Sequence, residues 1–147
     1  MKKLLVFALL LSFAIPTMSS AQTEKFDSLY EKNKTIINSN IYQFNGDWVF
    51  EGRNREELVS SNNFMKIDGK AVEGTFHALS SERRVITYND ELSDYKVNFN
   101  DSKQEITIKF VLSGQNIIID LKPNGKAFIK MDGPLGKITQ VGKISKL

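Results

Sequence analysis

The stretch from Gln104 to Asp132 constrains the fold more than any other part of the chain. It reads QEITIKFVL, then SGQ, then NIIIDLKPNGKAFIKMD. Ile106, Ile108, Phe110 and Leu112 alternate with Glu105, Thr107 and Lys109, the period of two expected of a strand with one buried face. Ser113-Gly114-Gln115 makes a short turn. Ile117, Ile119 and Leu121 alternate on the return, with Ile118 on the second face. Asn124-Gly125 tolerates positive φ and closes a tight hairpin, and Ala127, Ile129 and Met131 run back on a third strand. Three strands joined by two short turns form a meander with one apolar face. The rest of the chain has to cover that face.

Upstream, Phe26, Leu29, Tyr30, Ile36 and Ile37 recur at helical spacing after Thr23, a residue suited to capping a helix. This predicts a helix from Glu24 to about Asn38 that packs on the sheet or plugs one end of it. Ile41 to Glu51 reads as a strand interrupted at Asn45-Gly46-Asp47 by a bulge or a turn. Gly52 to Asn63 is polar and reads as a loop. Phe64–Ile67 and Lys70–Ala78 form a hairpin through Asp68-Gly69, and Val85–Tyr88 is strand-like with a turn at Asn89-Asp90-Glu91. Tyr95, Val97 and Phe99 alternate, and Lys137 to Ile144 supplies a last strand. The fold class is therefore mainly β: an N-terminal helix followed by about eight antiparallel strands. Such a sheet has to manage its edges. A lipocalin-like open barrel or a strongly curved meander sheet does so.

The chain of 147 residues opens MKKLLVFALLLSFAIPTMSSAQ. Lys2 and Lys3, the apolar run Leu4 to Ile15, and the small residues Ser19 and Ala21 have the form of a secretory signal peptide, residues 1–21. The apolar run is shorter than the roughly 20 residues that span a bilayer. Residues 22–147 then form a single β-rich domain, exported to the periplasm or the extracellular space. Without Lys2 and Lys3 the formal net charge falls from +3 to +1. That balance makes no demand for nucleic acid or an anionic membrane. The absence of cysteine removes disulfides and leaves stability to the core.

Several segments together resemble the family called domain of unknown function 4251, found in exported bacterial proteins. They are IINSNIYQF, NNFMKIDGKAVEGTF, DELSDYKVNF, QEITIKF and LKPNGKAFIKMDGPLGKITQVGKI. In the last, Ile138, Gly142 and Ile144 fill a closing I-x-x-x-G-x-I pattern. The resemblance spans most of Thr23 to Ile144. The segment Phe76-His77-Ala78-Leu79-Ser80 departs from it, lacking the Pro and Gly usual there, which puts in doubt any site built from that segment. The resemblance implies a fold and export, and it carries no catalytic residues over.

The chemistry visible in the residues is sparse. His77 is the only histidine, too few for a multi-histidine metal site, and alternation with Val72, Gly74 and Phe76 turns it away from them. Asp68, Asp90, Glu91, Asp94, Asp101 and Asp132 sit in turns that want them for backbone reasons, and Asp90, Glu91 and Asp94 match no EF-hand spacing. No G-x-S-x-G, G-x-G-x-x-G or P-loop occurs. Arg53, Arg55, Arg83 and Arg84 lie in two loops that could meet at a barrel mouth and attract an anion, or simply be solvated. The sequence thus suggests a monomeric, non-enzymatic binding module with no catalytic residue, metal or cofactor. Its partner is a small or apolar molecule, or a protein, without nucleic acid and without stable membrane insertion. Trp48, Phe76 and Tyr88, aromatics near loops, are the candidate ligand-binding residues. The alternative is a structural or inhibitory protein that acts through its surface and has no pocket.

Overall fold

A computed structural model describes residues 16–147. Helix α1 spans Pro16–Asn38. It is followed by β1 (Ile41–Glu51), β2 (Asn54–Glu57), β3 (Phe64–Asp68), β4 (Ala71–His77), β5 (Val85–Glu91), β6 (Ser93–Asn100), β7 (Glu105–Leu112), β8 (Gln115–Leu121), β9 (Ala127–Asp132) and β10 (Ile138–Lys146). The residues read as the n-region and apolar run of a leader, up to residue 15, lie outside the described residues. The helix runs through Thr23 instead of starting there. Pro16 is tolerated at the first helical position, and neither Pro nor Gly interrupts the chain from residue 17 to Asn38. It ends where Asn40 takes a φ of 54° and Ser39 Oγ donates to the Ile36 carbonyl at 2.6 Å.

All strand pairs are antiparallel, and the sheet order is β5-β4-β3-β1-β10-β9-β8-β7-β6, with β2 added on β1. β3 to β5 and β6 to β10 pair in sequence order, β5 and β6 stand at opposite ends of the order, and the first long strand pairs with the last. The mainly β, helix-plus-meander reading holds, in the form of a curled half-barrel sheet. Its strand count is higher than the sequence suggests. Past the bulge between Gly46 and Trp48, β1 no longer pairs with β3. Asn54–Glu57 folds back onto Trp48–Glu51 and takes over that edge. This strand, NREE, lies on the rim and has no apolar alternation to announce it.

The expected turn at Asn89–Glu91 is not there. Counting antiparallel steps around the sheet shows that β5 and β6 run in the same direction, with only Leu92 between them. They form one bent path, whose first half pairs with β4 and whose second half pairs with β7. Leu92 is buried on the inside, and the bend falls at Asp94, with a φ of 54° and a register shift between Ser93 and Lys96. Asn and Asp reach this left-handed region at low cost, so the polar run that resembles a reversal serves a bend.

The inner face is the one the alternation predicts. Ile106, Ile108, Phe110, Leu112, Ile117, Ile119, Leu121, Ala127, Ile129 and Met131 are all buried, while Ile118 lies half-buried on the outside. Ser113 and Gly114, with φ of 49° and 76°, form the two-residue turn with two positive-φ residues that matches strand twist, and Leu112 faces Gln115 across it. Each fully buried large apolar side chain contributes roughly 1.5–3 kcal/mol. This packed face therefore stands in for the absent disulfides.

Both ends of the curl are covered. At one, Tyr30, Ile36 and Ile37 of α1 pack into the core. Tyr30 Oη donates to Asp101 Oδ1 at 2.6 Å and Lys34 Nζ to the same oxygen at 2.8 Å, fixing the helix to the β6–β7 turn. At the other end, Ala78 and Leu79 are buried after β4. Arg84 donates to the carbonyls of Leu135 and Lys137 at 2.9 and 2.8 Å, tying the start of β5 to the β9–β10 turn.

Candidate functional site

The three aromatics singled out in the sequence do not converge. Phe76 and Tyr88 point inward and are fully buried. Their ring centroids are 6.1 Å apart, edge to face, and Phe76 stacks on Phe44 at 6.2 Å, both favoured aromatic arrangements. Tyr88 Oη lies 3.7 Å from Met131 Sδ across the barrel. Burial pushes the Tyr88 phenol up to about 12. Trp48 comes after the bulge, opposite Val141 of β10 and Glu57 of β2. It is half-buried on the outer face, with the Arg55 guanidinium 5.4 Å above its ring. The bulge causes this: an extra residue switches which side chains face inward, so Val49 takes the inner position in Trp48's place. The unresolved choice between bulge and turn at Gly46-Asp47 hid that switch.

A polar network closes the β4 end. Asn63 Nδ2 donates to the Val59 carbonyl at 3.1 Å, which turns its Oδ1 toward His77. That oxygen accepts from His77 N at 2.9 Å and faces His77 Nδ1 at 3.1 Å. An amide oxygen only accepts, so Nδ1 is the donor in this contact. Gln140, fully buried, donates to the His77 carbonyl at 2.9 Å. The network replaces the backbone partners on the β3 side that β4 lacks beyond Phe64, the first residue of β3. His77 does lie outside the row of Val72, Gly74 and Phe76. Next to it, Glu56 accepts from the backbone N and the hydroxyl of Ser80 at 2.8 and 2.9 Å. Asn63 is the ring's hydrogen-bond partner among the described residues, so the histidine is oriented but has no nucleophile bonded to it.

Two of the four loop arginines are engaged by neighbours in the protein. Arg55 covers Trp48, and Arg84 is committed to Glu82 and to two carbonyls. No group of three or more His, Cys, Asp or Glu suited to a metal occurs among the described residues. A surface cleft of about 480 Å³ lies at the β5–β6 bend, between Asn40, Gly69, Lys70 and Leu92–Tyr95. There the hydroxyls of Tyr95 and buried Tyr42 meet at 3.0 Å, and burial raises both phenols above their ordinary range.

The outer face is ordered by register. One lateral row is Lys96–Lys109–Ile118–Lys130–Thr139–Phe50–Arg55, and the next is Asn98–Thr107–Asp120–Phe128–Val141–Trp48–Glu57. Apolar and cationic side chains thus interleave on the convex side. The signal was present in the sequence as Lys96, Lys109 and Lys130 at outward positions of three strands. Only the pairing aligns them.

The fold and these surfaces define a helix-capped, antiparallel half-barrel with a packed interior. No family model and no curated protein matches the chain. Among solved structures it is similar to the crystal structure of a DUF4251 family protein from Bacteroides eggerthii DSM 20697, with 14% sequence identity and a TM-score of 0.70, over 81% of this chain and 88% of that one. That neighbour is of the family the sequence motifs resemble, and the likeness supports the family reading through the fold.

Proposed function

We propose that this is an exported, non-enzymatic module that binds through its outer surface and holds no ligand inside the sheet. The observation that carries the reading is the packing of Phe76 against Phe44 and Tyr88, with α1 over one end of the curl and Ala78–Leu79 over the other. The outward position of Trp48 supports it further, since a half-buried outer-face aromatic beside a cation suits recognition better than core packing. Export is proposed from the leader-like residues 1–21. No helix among the described residues is long and apolar enough to cross a membrane.

The test is a titration with 1-anilinonaphthalene-8-sulfonate and a long-chain fatty acid. The native protein is expected to bind neither saturably. One-to-one binding that Phe76→Ala weakens would overturn the reading in favour of an enclosed apolar ligand.

A further inference from the structure

The near-neutral charge of the exported chain conceals a segregation. The sheet divides into two contiguous halves, β5-β4-β3-β1 and β10-β9-β8-β7-β6. Residues 41–92, the first half, carry nine acidic and six basic side chains, net −3. Residues 93–147, the second, carry nine lysines against five acids, net +4. A protein can therefore present a strong field on one side while its total charge predicts none.

On the basic half the lysines are placed at a cost. Lys96 and Lys109 stand directly opposite each other on adjacent strands, and Lys130 continues their row two strands on. Like charges directly opposite destabilise a sheet. With strands about 4.8 Å apart the row covers about 14 Å. All three lysines are exposed, and none forms an ion pair among the described residues. The nearby acids are engaged elsewhere. Asp120 accepts from Thr107 at 2.9 Å, Glu105 pairs with Lys122 at 2.8 Å, and Asp132 pairs with Lys137 at 3.3 Å. Half-buried Ile118 and Phe128 sit within and beside the row.

We propose that the outer face of β6–β9 docks the protein on an anionic lipid surface, with Lys96, Lys109 and Lys130 against the headgroups and Ile118 and Phe128 toward the acyl boundary. This rests on the surface-binding reading above. Charge complementarity selects an anionic partner. Ile118, in the middle of the row, selects lipid over a soluble polyanion: an aliphatic side chain cannot stack on a base and gains nothing from a phosphate chain, whereas a lipid interface takes both it and the lysines. The contact is peripheral and adds to no spanning segment.

The exported form, starting at Gln22, is sedimented with vesicles of phosphatidylcholine alone or of an equimolar mixture with phosphatidylglycerol. Sedimentation with the mixed vesicles only is expected, and it should fall as salt screens the row. Each lysine near such a surface contributes about fivefold, so the K96Q/K109Q/K130Q variant is expected to bind roughly a hundredfold more weakly. The matching lysine-to-arginine triple should retain binding, and Lys70→Gln, on the acidic half, should leave it unchanged. Equal sedimentation with both vesicle types, undiminished binding by the glutamine triple, or preference for inorganic polyphosphate over vesicles would overturn the proposal. Absent vesicle binding with an inert interior would sink docking alone. Saturable binding of the apolar probe would instead sink the reading beneath it.

Discussion

Gly142 is the residue at which the smallest change should do the most damage. It lies opposite Gly46, where β1 and β10 approach next to the bulge. A Cβ on Gly142 would lie 1.8 Å from the Asn45 carbonyl oxygen, 2.7 Å from its carbon and 2.9 Å from the Gly46 Cα. All three are backbone atoms, so no rotamer can relieve the clash and the two strands have to part. Their separation costs the local ladder bonds, each about 0.5–1.5 kcal/mol net, on top of overpacking of about 1–3 kcal/mol. With two ladder bonds lost, Gly142→Ala is therefore expected to cost about 2–6 kcal/mol. Gly69→Ala is the control, because that turn has a φ of 60° with nothing within 4 Å, and only the left-handed penalty of about 1–2 kcal/mol applies. Gly46→Ala should fall between them, since its nearest neighbour is the movable amide of Gln140. Urea unfolding followed by emission of Trp48, which pairs with the adjacent Val141, gives the three values. A Gly142→Ala loss no larger than that of Gly69→Ala would refute the close-approach argument.

Ile119→Ala, at a fully buried inner position, should cost about 2–5 kcal/mol. Lys109→Ala should stay within about 0.5 kcal/mol by the same denaturation, and equal losses would contradict the face assignment. All four tyrosines are held above the ordinary phenol value of 10.0, chiefly by burial, Tyr30 and Tyr88 up to about 12. Their neutral forms favour the fold, so stability is complete below pH 10 and is lost as pH rises toward 12. An ultraviolet titration should show no tyrosine ionising near 10.0 before unfolding, and a normal phenol would count against the packing. The hydrogen bond from Lys34, then that from Tyr30, holds Asp101 below its ordinary 3.8. Its contribution is present above that value and disappears as the pH falls through the lowered one. Asp101→Asn should therefore flatten the acid limb of stability against pH and soften the alkaline limb less, because Asp101 also raises Tyr30 and Lys34 while burial holds the tyrosines up without it. N-terminal sequencing of the protein from its native host should begin at Gln22, and an intact Met1 would contradict export by cleavage.

The sheet was legible wherever alternation and turn chemistry agreed. Ile106 to Met131 could be assigned to faces because a register slip of one residue would expose every isoleucine. Three things were not legible. The strand β2 is polar and has no apolar alternation to mark it. The bend at Leu92–Asp94 uses the same residue types as a reversal, and only the direction of the flanking strands separates the two. The bulge at Gly46 moves Trp48 to the outer face, and local sequence permits bulge and turn alike. For the surfaces the limit is of another kind. Lys96, Lys109 and Lys130 are far apart in the chain, and they become a row only through the β6–β7, β7–β8 and β8–β9 registers. Net charge, a sum over the whole chain, cancels the asymmetry that the sheet order creates.

Methyl-resolved NMR tests the central claim most directly, because isoleucines report on both faces of one sheet. Ile108, Ile119 and Ile129 are fully buried inside, and Ile118 is on the outside between Lys109 and Lys130. A long-chain fatty acid should leave the three inner methyl resonances unmoved, while micelles of a short-chain phosphatidylglycerol should shift Ile118. Inner methyls that move saturably with the fatty acid while Ile118 stays fixed in the micelles would contradict an account in which the interior is core and the surface is the site.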